Sequence, residues 1–102
     1  IGQCVVVKDR VIVAVEAVEG TDEAIRRGGK LARKGVVVVK RCKPQQDLRF
    51  DLPAVGPRTI EVMGEVQASV LAIEAHKTVV LDREEMLQKA HQFGIAVIGV
   101  IA

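Results

Sequence analysis

The stretch GVVVVKRCKPQQDLRFDLPAVGPRT, residues 35–59, contains the features that decide the fold. It begins with a glycine and four valines, a pattern typical of a strand buried on both faces. A long polar segment, KPQQDLRFDLPAVGPRT at 43–59, follows and contains all three prolines. Gly56-Pro57 then begins a helix, because proline suits the first helical position. A buried strand that leads into a helix in this way favours an α/β domain.

The flanking sequence continues the alternation of apolar strands with amphipathic helices. It predicts a hairpin from strands 4–8 and 11–18, a helix from Thr21 to about Ala32, strands 69–75 and 78–81, a helix from Asp82 to Gly94, and a strand at 95–100. We therefore expect a single compact α/β domain, with a mixed, mostly parallel sheet of about six strands and three helices.

Two details of the predicted helices concern single residues. Asp82 with Glu85 resembles a capping box at the start of the third helix. Gly28-Gly29 costs helix stability, about 1 kcal/mol per glycine relative to alanine. Either close packing on the sheet or a local end of the helix explains the pair, and the sequence does not choose between them.

Composition limits the classes of function. The 102 residues are enough for one domain, and 49% of them are hydrophobic, which is enough for a core. The formal net charge of +2 is too small to predict a polyanion partner, and the chain has no Trp or Tyr on which bases could stack. Nucleic acid is therefore not an expected partner. The apolar runs are also far shorter than the ~20 residues that span a bilayer.

The two cysteines and the basic cluster have simple interpretations. Cys4 and Cys42 lie far apart, outside any metal-ligand spacing, and are expected to be two buried, reduced thiols of a cytosolic protein. The cations between residues 26 and 34 are interpreted as the solvated face of the first helix rather than as a site for phosphate backbones.

Two polar segments follow predicted strands and lead into helix N-termini. The first is EGTD at 19–22, where Thr21 can cap the helix, and the second is the long segment that ends in GPRT at 56–59. Ligands of open α/β sheets bind outside the carboxyl ends of strands, and helix N-termini there favour anions. We expect the two segments to line one cleft that meets a phosphorylated ligand.

The charged residues of these segments allow two interpretations. In the first, carboxylates gather around Mg²⁺ or Mn²⁺ while cations neutralise phosphate oxygens; the carboxylates are Glu19, Asp22, Asp47 and Asp51, and the cations are Lys40, Lys43 and Arg49. In the second, Glu19 and Asp22 serve helix capping, while Asp47 and Asp51 pair with Arg49 or Arg58. No spacing in the chain is a recognised metal motif.

Three segments together resemble the C-terminal domain of the LpxI-type UDP-2,3-diacylglucosamine pyrophosphatases. They are EGTD at 19–22, the GVVVVK run that ends at Lys40, and KPQQDLRFDLPAVGPRT at 43–59; IEAHKTVVLDREEMLQKAHQFGIAVIGV, residues 73–100, also resembles the end of that family. The likeness covers nearly the whole chain. The signature KPxQDxRxDxPxxGPxT is long and specific.

The resemblance implies a reaction and a cellular site. The family cleaves the pyrophosphate of UDP-2,3-diacylglucosamine to UMP and 2,3-diacylglucosamine 1-phosphate (lipid X), a step of lipid A synthesis in Gram-negative bacteria. The resemblance also implies a divalent cation, Mg²⁺ or Mn²⁺, as the cofactor. It further implies that the enzyme acts at the cytoplasmic face of the inner membrane, with peripheral membrane contact. The family enzyme holds its lipid substrate between two domains and can form a homodimer.

Transferred to this sequence, the resemblance assigns roles to individual residues. Asp51 is the expected essential carboxylate, either as a metal ligand or as the base that positions water. Further candidates for the metal shell are Glu19, Asp22 and Asp47. The residues expected to contact the substrate are Thr21, Lys40, Lys43, Gln46, Arg49, Gly56 and Thr59.

The resemblance covers only the C-terminal half of the family pattern. Residues 1–102 are therefore expected to be the C-terminal catalytic domain of a larger two-domain protein, without its N-terminal domain and inactive, or nearly so, alone. The alternative function is a non-enzymatic module that binds a phosphate ligand or forms a dimer.

Overall fold

A computed structural model describes residues 3–42 and 52–101. The described residues form seven strands and three helices. In chain order these are β1 (Cys4–Lys8), β2 (Val11–Val15), α1 (Thr21–Ala32), β3 (Val37–Lys40), β4 (Ala54–Val55), α2 (Pro57–Glu65), β5 (Val70–Glu74), β6 (Val79–Val80), α3 (Arg83–Phe93) and β7 (Ala96–Val100). The α/β class, the mixed sheet and the three helices confirm the sequence-based prediction.

Five of the described strands form the main sheet, in the order β2-β1-β3-β5-β7. β1 pairs antiparallel with both β2 and β3, whereas β3, β5 and β7 are parallel neighbours. The hairpin at the start of the chain is therefore confirmed. The three parallel strands end at the same edge of the sheet, which their last residues Lys40, Glu74 and Val100 mark.

The strand predicted at 78–81 forms, but it does not join the main sheet. Both neighbours of β5 are already strands, so β6 has no free edge there with which to make a hairpin. It pairs in parallel with β4 instead. Val79 and Leu81 donate backbone hydrogen bonds to the carbonyl groups of Pro53 and Val55, each at 2.8 Å. Of the six predicted strands, five form the main sheet. The sixth pairs with β4, a strand that the sequence analysis did not predict.

The helices share one side of the main sheet. α1 contacts β1 and β2, α3 contacts β7, and α2 lies between α1 and α3. The strand side chains that meet this layer, among them Val6, Val38 and Leu71, are fully buried. Val37 and Val39 point to the other face and are only half-buried, so the prediction that 36–39 is a strand buried on both faces is wrong for that face.

The glycine pair of α1 is explained by close packing. A Cβ at Gly28 would lie 2.6 Å from a methyl group of Val6 on the sheet, and one at Gly29 would lie 2.3 Å from the Cβ of Val66 after α2. α1 continues to Ala32 beyond both glycines. The absence of two side chains therefore lets α1 approach the sheet and α2 together, which compensates for the lower helix propensity.

α3 ends as predicted but is less buried than its pattern indicates. Gly94 adopts the left-handed conformation of a helix C-cap, with φ of 69°. Asp82 precedes the helix but makes no side-chain capping bond, so the expected capping box is absent. Of its apolar side chains, Met86 is buried while Phe93 is 49% exposed, because α3 lies at the edge of the helix layer.

Candidate functional site

The candidate site is centred on Lys40, at the carboxyl end of β3. Its side chain is only 5% exposed, and its Nζ donates to the Thr21 hydroxyl at 2.9 Å. The first polar segment and the end of the central strand are therefore in contact. The predicted cleft between 19–22 and 43–59 concerns a different pair of segments. A buried ammonium requires such partners, because its desolvation is costly.

Thr21 connects Lys40 to a carboxylate. Its hydroxyl accepts from Lys40 and donates to Oε1 of Glu16 at 3.0 Å. The predicted capping role of Thr21 is wrong: Gly20, at φ of 89°, is the N-cap, and no side chain caps α1. A glycine suits that left-handed backbone, and the threonine one position later is then directed towards the strand ends.

The two described carboxylates proposed for a metal shell are engaged with arginines. Arg27 contacts Glu19, with Nη2 3.2 Å from Oε1, and Arg58 donates to Oδ2 of Asp22 at 2.9 Å. The Ala17 N–H also donates to Glu19 at 2.9 Å. That backbone bond, followed by the hydrogen bond from Arg27, lowers the pKa of Glu19.

These ion pairs test the part of the second interpretation that gave Glu19 and Asp22 a role in helix capping. Glu19 and Asp22 pair with arginines rather than cap α1. Arg58 pairs with Asp22, a partner that the sequence analysis did not assign to it. Within 3–42 and 52–101, no group of three His, Cys, Asp or Glu side chains is placed to hold a metal ion. The described residues alone therefore do not fit a divalent cation.

The N-terminus of α2 holds Gly56 and Thr59. The Gly56 N–H donates to the Thr59 hydroxyl at 3.2 Å, and the Thr59 side chain is buried. The groove beside this helix start has a volume of about 460 Å³ and is lined by Arg58 together with the carboxylates Asp22, Glu61, Asp82 and Glu85. With four carboxylates and one guanidinium, a phosphate in this groove would meet mostly negative charge.

The remaining residues proposed for the site belong to the polar segment. Lys43, Gln46, Asp47, Arg49 and Asp51 lie outside the described residues. Their roles stay predictions.

Glu74 is a buried carboxylate that the sequence analysis missed. It is the last residue of β5, and its side chain is 7% exposed. Its Oε1 accepts from the Cys42 N–H at 2.8 Å, and its Oε2 lies 3.8 Å from Nζ of Lys77. The only signal in the sequence is one carboxylate at the end of an apolar strand, which is also typical of an exposed strand end.

A small cavity opens at this same edge of the sheet. Its volume is about 200 Å³, and its lining includes Val39, Lys40, Arg41, Glu74 and Val100. The ends of all three parallel strands therefore contribute to one concave surface. Ligands of open α/β sheets bind at this edge.

Of the two thiols, Cys4 is buried as predicted, whereas Cys42 is partly exposed, so the prediction of burial is wrong for Cys42. Cys4 and Cys42 are both free, and burial raises the pKa of Cys4 to about 12. In the basic cluster, Arg26 is paired with Glu23 on the same helix and with Glu65 at the end of α2. The charge of this arginine is balanced by carboxylates of the chain itself.

Comparison with known proteins identifies the family. The model of the LpxI C-terminal domain matches residues 1–98. The chain belongs to the LpxI C-terminal domain family. A relative from Caulobacter vibrioides, named UDP-2,3-diacylglucosamine pyrophosphatase LpxI, is 37% identical over 108 aligned residues, which cover 98% of this chain. The family resemblance drawn from the residues is thus confirmed.

The match extends over only part of that relative. The chain spans 39% of the length of the Caulobacter LpxI protein. In the described parts of this LpxI C-terminal domain, no helix is both long and apolar enough to cross a membrane.

Proposed function

We propose that this LpxI C-terminal domain is part of an enzyme that hydrolyses UDP-2,3-diacylglucosamine to UMP and 2,3-diacylglucosamine 1-phosphate in lipid A biosynthesis. The observation that carries the proposal is the 37% identity, across 98% of the chain, to a protein named for this activity. Because the chain spans 39% of that protein, the proposal includes a further, N-terminal domain that completes the enzyme. It also places the enzyme at the cytoplasmic face of the inner membrane.

The position of Lys40 supports the proposal. A pyrophosphate diester carries two negative charges that repel an attacking water, so its hydrolysis requires positive charge and hydrogen-bond donors close to the phosphate oxygens. Lys40 holds an ammonium at the carboxyl end of a parallel strand, beside Thr21 at the start of α1. In this proposal the two residues lie next to the pyrophosphate, and Lys43, Gln46 and Arg49 contact it.

Asp51 is proposed as the essential carboxylate, and Mg²⁺ or Mn²⁺ as the cofactor. Since Glu19 and Asp22 are paired with arginines, we propose Asp47 and Asp51 as the carboxylates of this chain that hold such a cation. Oxygen ligands of this kind suit both ions.

The test is UMP release by the full-length protein that carries this sequence. We expect Asp51→Ala to lower turnover at least a hundredfold, with an unchanged circular dichroism spectrum. Glu84→Ala removes an exposed carboxylate on α3 and serves as the matched control, expected within twofold of wild type. Full activity of the Asp51 variant would refute its role. Saturable Mn²⁺ binding that Asp51→Ala abolishes would support the cation, whereas unchanged binding would remove Asp51 from its shell.

The isolated chain provides a second test. Residues 1–102 alone are expected to fold but to release little or no UMP, because the proposed substrate lies between two domains. Turnover by the isolated chain comparable to that of the full-length protein would contradict the two-domain proposal.

One observation favours the alternative, a non-enzymatic phosphate-binding or dimerisation module. Glu19 and Asp22 make ion pairs with Arg27 and Arg58, as expected if they have structural roles. A folded full-length wild type that releases no UMP but binds UMP or forms a dimer in light scattering would support this alternative.

A further inference from the structure

Glu74 occupies an unusual position in the sheet. It is the last residue of β5, which lies between β3 and β7, and it faces the edge where the parallel strands end. A carboxylate that is 7% exposed loses most of its hydration, which is costly unless strong hydrogen bonds replace it. Its bond from the Cys42 N–H is of this charge-assisted kind.

The Glu74 side chain accepts a hydrogen bond from the Cys42 N–H that a backbone carbonyl of the neighbouring strand would otherwise accept. β3 and β5 pair in register from Val37 with Val70 to Lys40 with Ile73. One residue later, the Arg41 N–H still bonds the carbonyl of Gln3 on the side of β1. The next N–H, that of Cys42, goes to the carboxylate of Glu74. The ladder between β3 and β5 therefore ends in a side-chain bond, which satisfies the last N–H while the backbone leaves the strand.

The same carboxylate reaches the turn that follows β5. Its Oε2 lies 3.8 Å from Nζ of Lys77, and its own carbonyl accepts from the Thr78 hydroxyl at 2.8 Å. Glu74 thus joins the exit of β3 to the turn before β6. It does so beside Lys40 and Arg41, on the cavity at the carboxyl ends of the parallel strands.

We propose that Glu74 is a positioning residue for the reaction. By holding the backbone at Cys42, it fixes the point from which the chain continues into 43–51, the segment that contains Asp51 and three of the seven residues proposed to contact substrate. This inference rests on the proposed function. Glu74 acts through the Cys42 N–H and does not itself touch the substrate.

The first test measures the anchor, which is the hydrogen bond from the Cys42 N–H to Glu74, and does not depend on enzyme activity. In the full-length wild type, the Cys42 amide is expected to exchange with solvent at least tenfold more slowly than its random-coil rate. Glu74→Ala should abolish that protection while the amides of β5 remain protected, and Glu74→Gln should keep part of it, because an amide oxygen still accepts. An unprotected wild-type amide, or a folded Glu74→Ala protein with unchanged exchange, would overturn the proposal. The wild-type measurement tests whether the Cys42 N–H is hydrogen-bonded even if the alanine variant does not fold.

The second test measures UMP release by the same proteins. Glu74→Ala should lower kcat at least tenfold with KM changed less than threefold, Glu74→Gln should recover part of kcat, and Glu84→Ala should match wild type. Loss of Cys42 protection with kcat unchanged would make Glu74 a structural residue only and overturn its positioning role. A wild type that releases no UMP would overturn the proposed function and with it the positioning role, while the exchange data would still establish whether the anchor exists.

Discussion

Lys40 and Thr21 are joined by a hydrogen bond of 2.9 Å between the end of β3 and the first turn of α1. The same hydroxyl donates to Glu16, so an ammonium, a hydroxyl and a carboxylate form one chain of hydrogen bonds. Lys40 is buried, and the bond to Thr21 replaces part of the hydration that its ammonium has lost.

Replacing the Thr21 hydroxyl tests this chain of hydrogen bonds. Thr21→Val keeps the shape of the side chain but leaves Lys40 without this acceptor and Glu16 without this donor, so we expect a loss of about 1–3 kcal/mol in the free energy of unfolding. Thr21→Ser retains the hydroxyl and is expected to lose less than half as much. Urea unfolding at pH 7 measures both. A valine variant as stable as wild type would show that the hydroxyl does not contribute.

Acid stability should depend on Glu19. Its pKa is lowered in the folded state by the Ala17 N–H and then by Arg27, so its stabilising effect is fully present above the ordinary value of 4.5. That effect is lost as the pH falls through the lowered folded pKa, because the unfolded state binds the proton first. Glu19→Gln should therefore unfold at lower urea than wild type at pH 7, with a difference that shrinks below pH 4.5.

A double-mutant cycle with Arg27→Met separates the guanidinium from the backbone donor. The coupling between Glu19 and Arg27 should decline over the same acidic range. A coupling that does not change with pH would show that the pair does not depend on the charge of the carboxylate.

The thiols should differ in reactivity. Cys4 is fully buried, and burial raises its pKa to about 12, so little thiolate forms near neutral pH. Cys42 is partly exposed and should react first with Ellman's reagent, giving one equivalent in the native protein. Cys42→Ser should abolish that fast phase, and Cys4→Ala should leave it unchanged. Two equal fast phases would contradict the burial of Cys4.

The raised pKa of Cys4 also predicts an alkaline effect. The unfolded thiol ionises near 9.0 and the folded one near 12, so the unfolded state releases its proton first, and stability falls as the pH rises through this range. Three pKa units correspond to a loss on the order of 4 kcal/mol. Wild type should therefore lose stability more steeply than Cys4→Ala between pH 9 and 12, as measured by urea unfolding. Parallel curves would refute the effect.

The sequence predicted the elements whose signals are local. The bounds of α1 at Thr21 and Ala32 follow from the glycine, the acidic first turn and the apolar period around them. Gly94 ends α3 because its left-handed conformation is a property of the residue itself. The valine run before Lys40 likewise predicts β3, because β-branched residues favour extended backbone.

What the sequence did not predict depends on pairs that are distant in the chain. The bond between Glu74 and Cys42 joins residues 32 positions apart, and that between Asp22 and Arg58 joins residues 36 apart. Neither residue type nor spacing specifies such partners. The sequence did not predict the pairing of β6 for the same reason, because that pairing depends on which sheet edges the other strands already occupy. The half-buried face of β3 reflects the position of the helices, all on one side.

Packing of α1 supplies the last prediction. Gly29 meets the backbone-attached Cβ of Val66, whereas Gly64 on α2 meets the ring of Phe93, at 2.8 Å from a built Cβ. The Val66 Cβ moves only with its backbone, but the ring is 49% exposed and can rotate away from an added methyl group. Gly29→Ala should therefore cost about 1–3 kcal/mol despite its better helix propensity.

Gly64→Ala should cost less than half of the Gly29→Ala loss, since the gain in helix propensity offsets the displacement of the Phe93 ring. Lys30→Ala, at an exposed neighbouring position of α1, provides a control that should stay within about 0.5 kcal/mol of wild type. Urea unfolding of the three variants measures the order. A Gly29→Ala protein as stable as the Lys30→Ala control would mean that α1 can move away from α2 without loss, and that Gly29 is not required for the close approach of the helices.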